Sequence, residues 1–418
     1  MTAARASKRT CAIATLAILT ACSPKNDGGA GGTAATAPRP APIITLDSHD
    51  DIPLDFATPA VDPATADLQV NLDKMKAGGL NAGFFIVYVG QSARTDDNYA
   101  HAQADALTKF AAIHRMAEEL YPRRIEIAYH ADDVGRIVAA GKLVAAIGIE
   151  NGFVLGRNLE MLDRYYELGA RYVTLSHDGN NDLAGSARPK PELGDPDTTS
   201  GVTALGAEAI ARMNRLGIMV DISHGSKQTA LDAMRLSAAP VIASHSGIAG
   251  VSVHPRNLDD ETLRALRDDG GVVQVVAYDA YLRHQSDEEL AALRTLRERV
   301  GLTAGGPGSL PPDRRAEYEN GLREIQAQWP PATVKTFVDH IDYAVKLIGV
   351  DHVGISSDFG GGGGVTGWND ASETGNVTAE LRARGYSDAD IGKIWSGNLL
   401  RVWRAAEQTA AQLKAAPH

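Results

Sequence analysis

Residues 218–246 read IMVDISHGSKQTALDAMRLSAAPVIASHS. Positions 218–223 form a short apolar run of strand length, 227–235 follow with helical spacing, and 241–244 return to strand character. A histidine stands directly after each run, His224 and His245. The same unit recurs on both sides. Strand-like runs lie at 43–47, 82–89, 144–149, 172–176, 272–276 and 352–357, with helical patterns at 99–120, 158–168, 206–216, 260–269 and 333–347. Eight short runs, most followed by a helix, predict an α/β fold of the (β/α)8 TIM-like barrel type. A doubly wound open sheet is the alternative. Residues 283–331 break the repeat: they are highly charged, then rich in Gly and Pro, then helical around 316–327. They read as a helical insertion after the seventh strand, either a lid or a solvated surface excursion.

The chain has 418 residues, 44% of them hydrophobic, and a formal net charge of -11. This balance suits a globular domain and argues against a nucleic-acid partner, which favours a basic face. Residues 1–22 read as an export signal. Arg5, Lys8 and Arg9 precede an apolar run at 11–19 that is too short to span a bilayer. The run ends in LTAC at 19–22, which resembles a bacterial lipobox with Cys22 as the acylated residue. Ser23 after it is the pattern expected for sorting to the outer membrane, facing the periplasm. Residues 23–42, rich in Gly, Ala, Thr and Pro, read as a flexible linker to a domain spanning 43–410. The only cysteines are Cys11 and Cys22, so the domain itself has neither a disulfide nor a thiolate metal site. Any metal there must be held by His, Asp and Glu, which suits zinc or a harder divalent ion.

Those residues fall where a barrel needs them. His49 and Asp51 follow the first run, and residues two apart on an extended segment face the same side. Glu150 ends the third run; His177, His224, His245 and Asp358 follow the fourth, fifth, sixth and eighth. Strand ends on the C-terminal face of a barrel converge on one pocket. A single histidine in such a place is ordinarily a hydrogen-bonded core residue; a metal-capable residue after six of the eight runs is not explained that way. Five ligands, His49, Asp51, Glu150, His224 and His245, divide naturally around Glu150 as a bridge between two divalent ions.

The motifs DSHDDIP (47–53), IENG (149–152), LGARYVTLSH (168–177), NNDLA (180–184), VDISH (220–224), PVIASHS (240–246), PRNLDD (255–260) and VGISSDF (353–359) together resemble the membrane (renal) dipeptidase family of zinc peptidases. The likeness runs from about Leu46 to about Trp403. It implies a two-zinc dipeptidase acting through a metal-bridging hydroxide, with His49 and Asp51 on one ion, His224 and His245 on the other, and Glu150 between them. It further implies that His177 contacts the substrate carbonyl oxygen, that Arg256 holds the C-terminal carboxylate, and that Asp358 shuttles the proton to the leaving amine. Tolerance for a D-residue at the C-terminal position and a homodimer are also among its implications.

Two departures stand out. Ser48 and Asp50 occupy positions where the family commonly carries Gly and Asn, and Asp50 adds negative charge beside a metal site. After Asp358 and Phe359 the chain runs through five glycines, 360–364, in place of the usual Asp and Gly; this run reads as flexible and puts specificity in question. The run lacks the Gly-Lys-Ser/Thr ending of a phosphate loop. Asp195-Pro196-Asp197 lacks the later ligands of a calcium loop, and Ser244 lacks a nucleophile elbow. The rival readings are an N-acyl amino-acid deacylase or lactam hydrolase using the same metals, and a catalytically silent lipoprotein that uses the barrel for binding.

Overall fold

Ten strands form one parallel sheet in a computed structural model, which describes residues 43–196, 200–302 and 310–416. They are β1 (Leu46–Asp51), β2 (Ala82–Tyr88), β3 (Ile125–Ile127), β4 (Leu143–Glu150), β5 (Ala170–Thr174), β6 (Met219–Asp221), β7 (Ile242–Ile248), β8 (Asn257–Leu258), β9 (Val272–Val276) and β10 (Val353–Ser356). Eight of them run in the order β1-β2-β4-β5-β6-β7-β9-β10, with β3 beside β4 and β8 beside β7. The ends meet through a parallel bridge between Asp50 and Phe359, where the Asp51 amide donates to the Phe359 carbonyl at 2.7 Å. The expected (β/α)8 barrel is therefore the observed fold. The export signal with Cys22 and the linker, residues 1–42, lie outside the described residues.

Helices return the chain between strands, and local chemistry sets their ends. In Ala204–Leu216, Thr203 accepts from the Gly206 amide at 3.0 Å, and Gly217, at φ 86, closes the helix in the left-handed conformation. Its buried residues include Gly206, Ala209, Ile210 and Met213, one stripe at helical spacing. In Lys227–Leu236 the cap is Ser226, accepting from Thr229 at 3.0 Å.

The barrel interior is filled from its N-terminal end. The final helix, Asn398–Ala415, places Trp403 with its ring centroid 5.6 Å from Phe84, and Phe84 lies 5.2 Å from Tyr172. All three are fully buried. A side chain at Gly148 would put its Cβ 2.2 Å from the Tyr172 ring, so only glycine leaves room for that tyrosine across the barrel.

Two details differ from expectation. The first strand runs to Asp51, so His49 and Asp51 sit within it; a polar LDSHDD segment reads poorly as a buried strand until its neighbours satisfy it. The short strands β3 and β8 have no strong sequence pattern. Between β9 and helix Val334–Ile348 lie helices Asp287–Val300 and Pro312–Gln328, which share a small core of Leu296, Val300, Leu302, Leu310 and Tyr318.

Candidate metal centre

Every metal-capable residue singled out in the sequence reaches the C-terminal mouth of the barrel. His49 and Asp51 come from β1, Glu150 ends β4, and His245 lies in β7. His177 and His224 follow β5 and β6, and Asp358 follows β10. His224 and Asp358 adopt positive φ, 64 and 59, a left-handed backbone that residues other than glycine rarely take.

Glu150 stands at the centre. Its Oε1 lies 3.0 Å from His224 Nε2, 3.3 Å from His245 Nε2 and 3.5 Å from His177 Nε2. Its Oε2 faces the other way, 3.5 Å from His49 Nε2. That nitrogen is also 3.4 Å from Asp51 Oδ2 and 3.9 Å from Asp358 Oδ1. One carboxylate thus presents one oxygen to each of two ligand sets.

The tautomers decide what these nitrogens can do. Tyr172 donates its hydroxyl proton to the Ser48 carbonyl at 3.0 Å, so its oxygen accepts from His49 Nδ1 at 2.9 Å. Ser244 donates to Asp221 at 2.6 Å and accepts from His245 Nδ1 at 2.8 Å. Asp178, as a carboxylate, accepts from His224 Nδ1 at 3.2 Å. Each Nδ1 therefore carries a proton, which leaves Nε2 as the ring atom available to a metal ion. His224 Nε2 and His245 Nε2 are 2.9 Å apart, and His49 Nε2 is buried without a hydrogen-bond partner. Lone pairs converging on a carboxylate repel one another unless a cation lies among them, so the donor set fits divalent metal ions. Among the described residues, the groups close enough to share an ion are His49–Glu150–His245, Glu150–His177–His224 and His49–Asp51–Asp358, so His177 and Asp358 also come within ligand range.

Charge follows the same logic. Burial disfavours the His49 imidazolium, but Glu150 and Asp51 outweigh it and hold its pKa well above the usual imidazole value; a metal ion bound among these carboxylates would take the place of that proton on Nε2. Burial opposes the Glu150 carboxylate too, yet His177 and His49 keep its pKa well below the carboxylate range. The Asp358 carboxyl is raised well above that range, first by burial and then by Asp51 and Glu150, against the pull of His49. His177 is pushed down to about 3 by burial and by His224, so its ring is neutral.

Asp50 departs from expectation. It pairs with Asp47, and burial plus that neighbour hold its pKa well above the usual value. A shared proton removes most of the added negative charge. The glycine run also differs from the pliable loop expected: Gly360 donates to Gln69 at 2.9 Å, Gly363 to the Asp358 carbonyl at 2.8 Å and Gly364 to the Ala277 carbonyl at 2.8 Å. Arg256 is buried, donates to the His245 carbonyl at 3.0 Å, lies 5.4 Å from the Tyr281 ring centroid, and has an unpartnered Nε. Asp195 fastens its loop by accepting from the Asn180 and Lys190 amides; Asp197 lies outside the described residues. Sequence reasoning missed Tyr172, Asp178, Asp221 and Tyr281, whose residue types carry no signal until the fold sets them behind a ligand.

A parallel barrel with a His, Asp and Glu cluster at its mouth defines a metal-dependent hydrolase of the barrel type. The model of the family Membrane dipeptidase (peptidase family M19) matches residues 40–417. The chain belongs to this family and is a peptide-bond hydrolase. It is 31% identical to dipeptidase tcpJ of Claviceps purpurea over 350 residues, 82% of this chain and 71% of that protein. The crystal structure of the probable dipeptidase PvdM from Pseudomonas aeruginosa is similar at a TM-score of 0.77 and 37% identity, covering 88% of this chain and 96% of that one. A metallopeptidase, dipeptidase AC, aligns at a TM-score of 0.67 and 25% identity, covering 87% and 98%.

Proposed function

We propose that this chain is a two-zinc dipeptidase acting on free dipeptides, including those with a D-residue at the C-terminal position. The observation that carries this reading is the division of the Glu150 oxygens between His49 on one side and His224 with His245 on the other. Zinc ions held there would polarise the scissile carbonyl and acidify water, the chemistry that divalent ions supply to hydrolases. Asp51 completes the His49 set.

The remaining residues divide the work of binding and proton transfer. The buried free Nε of Arg256 supports a role in holding the substrate carboxylate, which would restrict the enzyme to short substrates with a free C-terminus. Neutral His177 offers a hydrogen bond to the carbonyl oxygen as it gains charge. Asp358, whose carboxyl retains a proton readily, passes one to the leaving amine. The lipobox reading would place this activity in the cell envelope, anchored through Cys22.

A panel of L-L dipeptides, L-D dipeptides and N-acyl amino acids, assayed with and without chelator beside a metal count, tests the proposal. Turnover of dipeptides that vanishes with the metal is expected. Preference for N-acyl amino acids would favour the deacylase reading, and undiminished turnover without metal would sink the mechanism.

A further inference from the structure

The loop after β5 does more than carry His177. It folds over the segment that holds His224: the Ala187 amide donates to the His224 carbonyl at 2.8 Å, and the Ser226 amide donates to Gly185 at 3.0 Å. Ser186 forms a bridge with Gly225 and donates its hydroxyl to the His177 carbonyl at 2.5 Å. The same loop supplies Asp178, whose Oδ1 accepts from the His224 ring while its Oδ2 meets Arg188 at 3.0 Å. Asp178 keeps only 18% of its side chain exposed. One loop thus holds both the backbone and the ring of His224.

The three candidate ligand imidazoles around Glu150, those of His49, His224 and His245, are not backed alike. His49 rests on the hydroxyl of Tyr172 and His245 on that of Ser244, whereas His224 rests directly on a carboxylate. A carboxylate behind an imidazole makes a charge-assisted bond, fixes the tautomer and raises the basicity of the opposite nitrogen. A hydroxyl does this more weakly. Asp178 has no contact with His49 or Asp51, which lie beyond the other oxygen of Glu150.

We infer that Asp178 is a positioning residue that sets the affinity of one ion of the pair, the one shared by His224 and His245, and leaves the His49 and Asp51 position largely unaffected. The inference rests on the two-metal reading above. Zinc-loaded wild type, Asp178→Ala and Asp178→Asn are dialysed against graded chelator, and zinc per chain is counted alongside kcat and KM. Wild type is expected to hold two ions. In Asp178→Ala one ion should be released about 10–100-fold more readily, the usual effect of removing a partner behind a ligating histidine, while the second keeps its wild-type affinity. Asp178→Asn, which retains an acceptor of the same shape without the charge, should show a smaller loss; coincident melting of the zinc-free forms would establish that the fold is intact. Retention of both ions at wild-type affinity in Asp178→Ala, or equal weakening of both, would overturn the inference. A wild type holding fewer than two ions overturns the two-metal reading itself, and the wild-type count alone tells the two failures apart.

Discussion

Replacing Glu150 by glutamine keeps its volume but removes the charge at a position where four imidazoles face two oxygens. Metal retention should collapse and dipeptide turnover fall by a factor on the order of 1,000, with the circular dichroism spectrum unchanged; an active, metal-replete Glu150→Gln protein would contradict the bridging role. Asp358→Asn tests a different function. It lies farther from His49 than Asp51 does, 3.9 against 3.4 Å, so zinc content and KM should hold while kcat falls about 100- to 10,000-fold, the range of a lost proton-transfer group. The candidate ligands were legible in the sequence because His, Asp and Glu after apolar runs have few structural explanations. Tyr172 was not. It lies in an apolar strand, and its role behind His49 exists only because its ring crosses a space that Gly148 leaves open.

Among the elements, the turn after β10 makes the most stringent demand. A Cβ on Gly361 would approach Asp51 Oδ2 at 2.5 Å and Asp358 Oδ1 at 2.6 Å, so the backbone itself covers both carboxylates. Gly361→Ala should lower kcat/KM by at least about tenfold, equivalent to roughly 1.4 kcal/mol, with little change in Tm; wild-type kinetics would show that the turn yields freely. Helix Asp260–Asp268 carries a pH-dependent feature far from this chemistry. Asp269 caps its C-terminus, accepts from the Val241 amide at 2.8 Å, and is pushed up to about 6 by burial. Because the folded protein binds this proton more tightly than the unfolded chain, the contribution is complete below about pH 4 and is lost as the pH rises through 6. Asp269→Asn keeps the acceptor and cannot ionise. It should match wild type at pH 4 and exceed it at pH 8 by about 1 kcal/mol, the partial exposure of the site screening a larger effect. Denaturant titrations at the two pH values provide the check.

At the level of the whole molecule, the core at the N-terminal end of the barrel and the centre at the other end are joined by one stack. Trp403 packs on Phe84, Phe84 on Tyr172, and the Tyr172 hydroxyl holds His49. Trp403→Ala removes a fully buried indole and should cost about 3–5 kcal/mol of stability. Metal binding acts from the opposite end: ions that bind only the folded chain add to its stability by mass action. Chelation should therefore lower Tm by several degrees, and adding zinc back should restore it. Unchanged melting after complete metal removal would mean that the ligand set is rigid without its ions.

What the sequence determined by itself was the repeat of strand and helix, the side of the barrel on which chemistry gathers, and the residue types able to hold metal. These follow from local periodicity and from the rule that parallel strand ends share one face. Tertiary structure alone decided which oxygen of Glu150 faces which histidine and which nitrogen of each ring carries the proton. It also paired Asp50 with Asp47 and fastened the glycine run as a fixed turn. Each of those outcomes depends on contacts between residues tens to hundreds of positions apart, such as Tyr172 with His49 and Ser244 with Ser48. The five metal-binding candidates were therefore readable from spacing, whereas the groups that orient them became visible only once the barrel had closed.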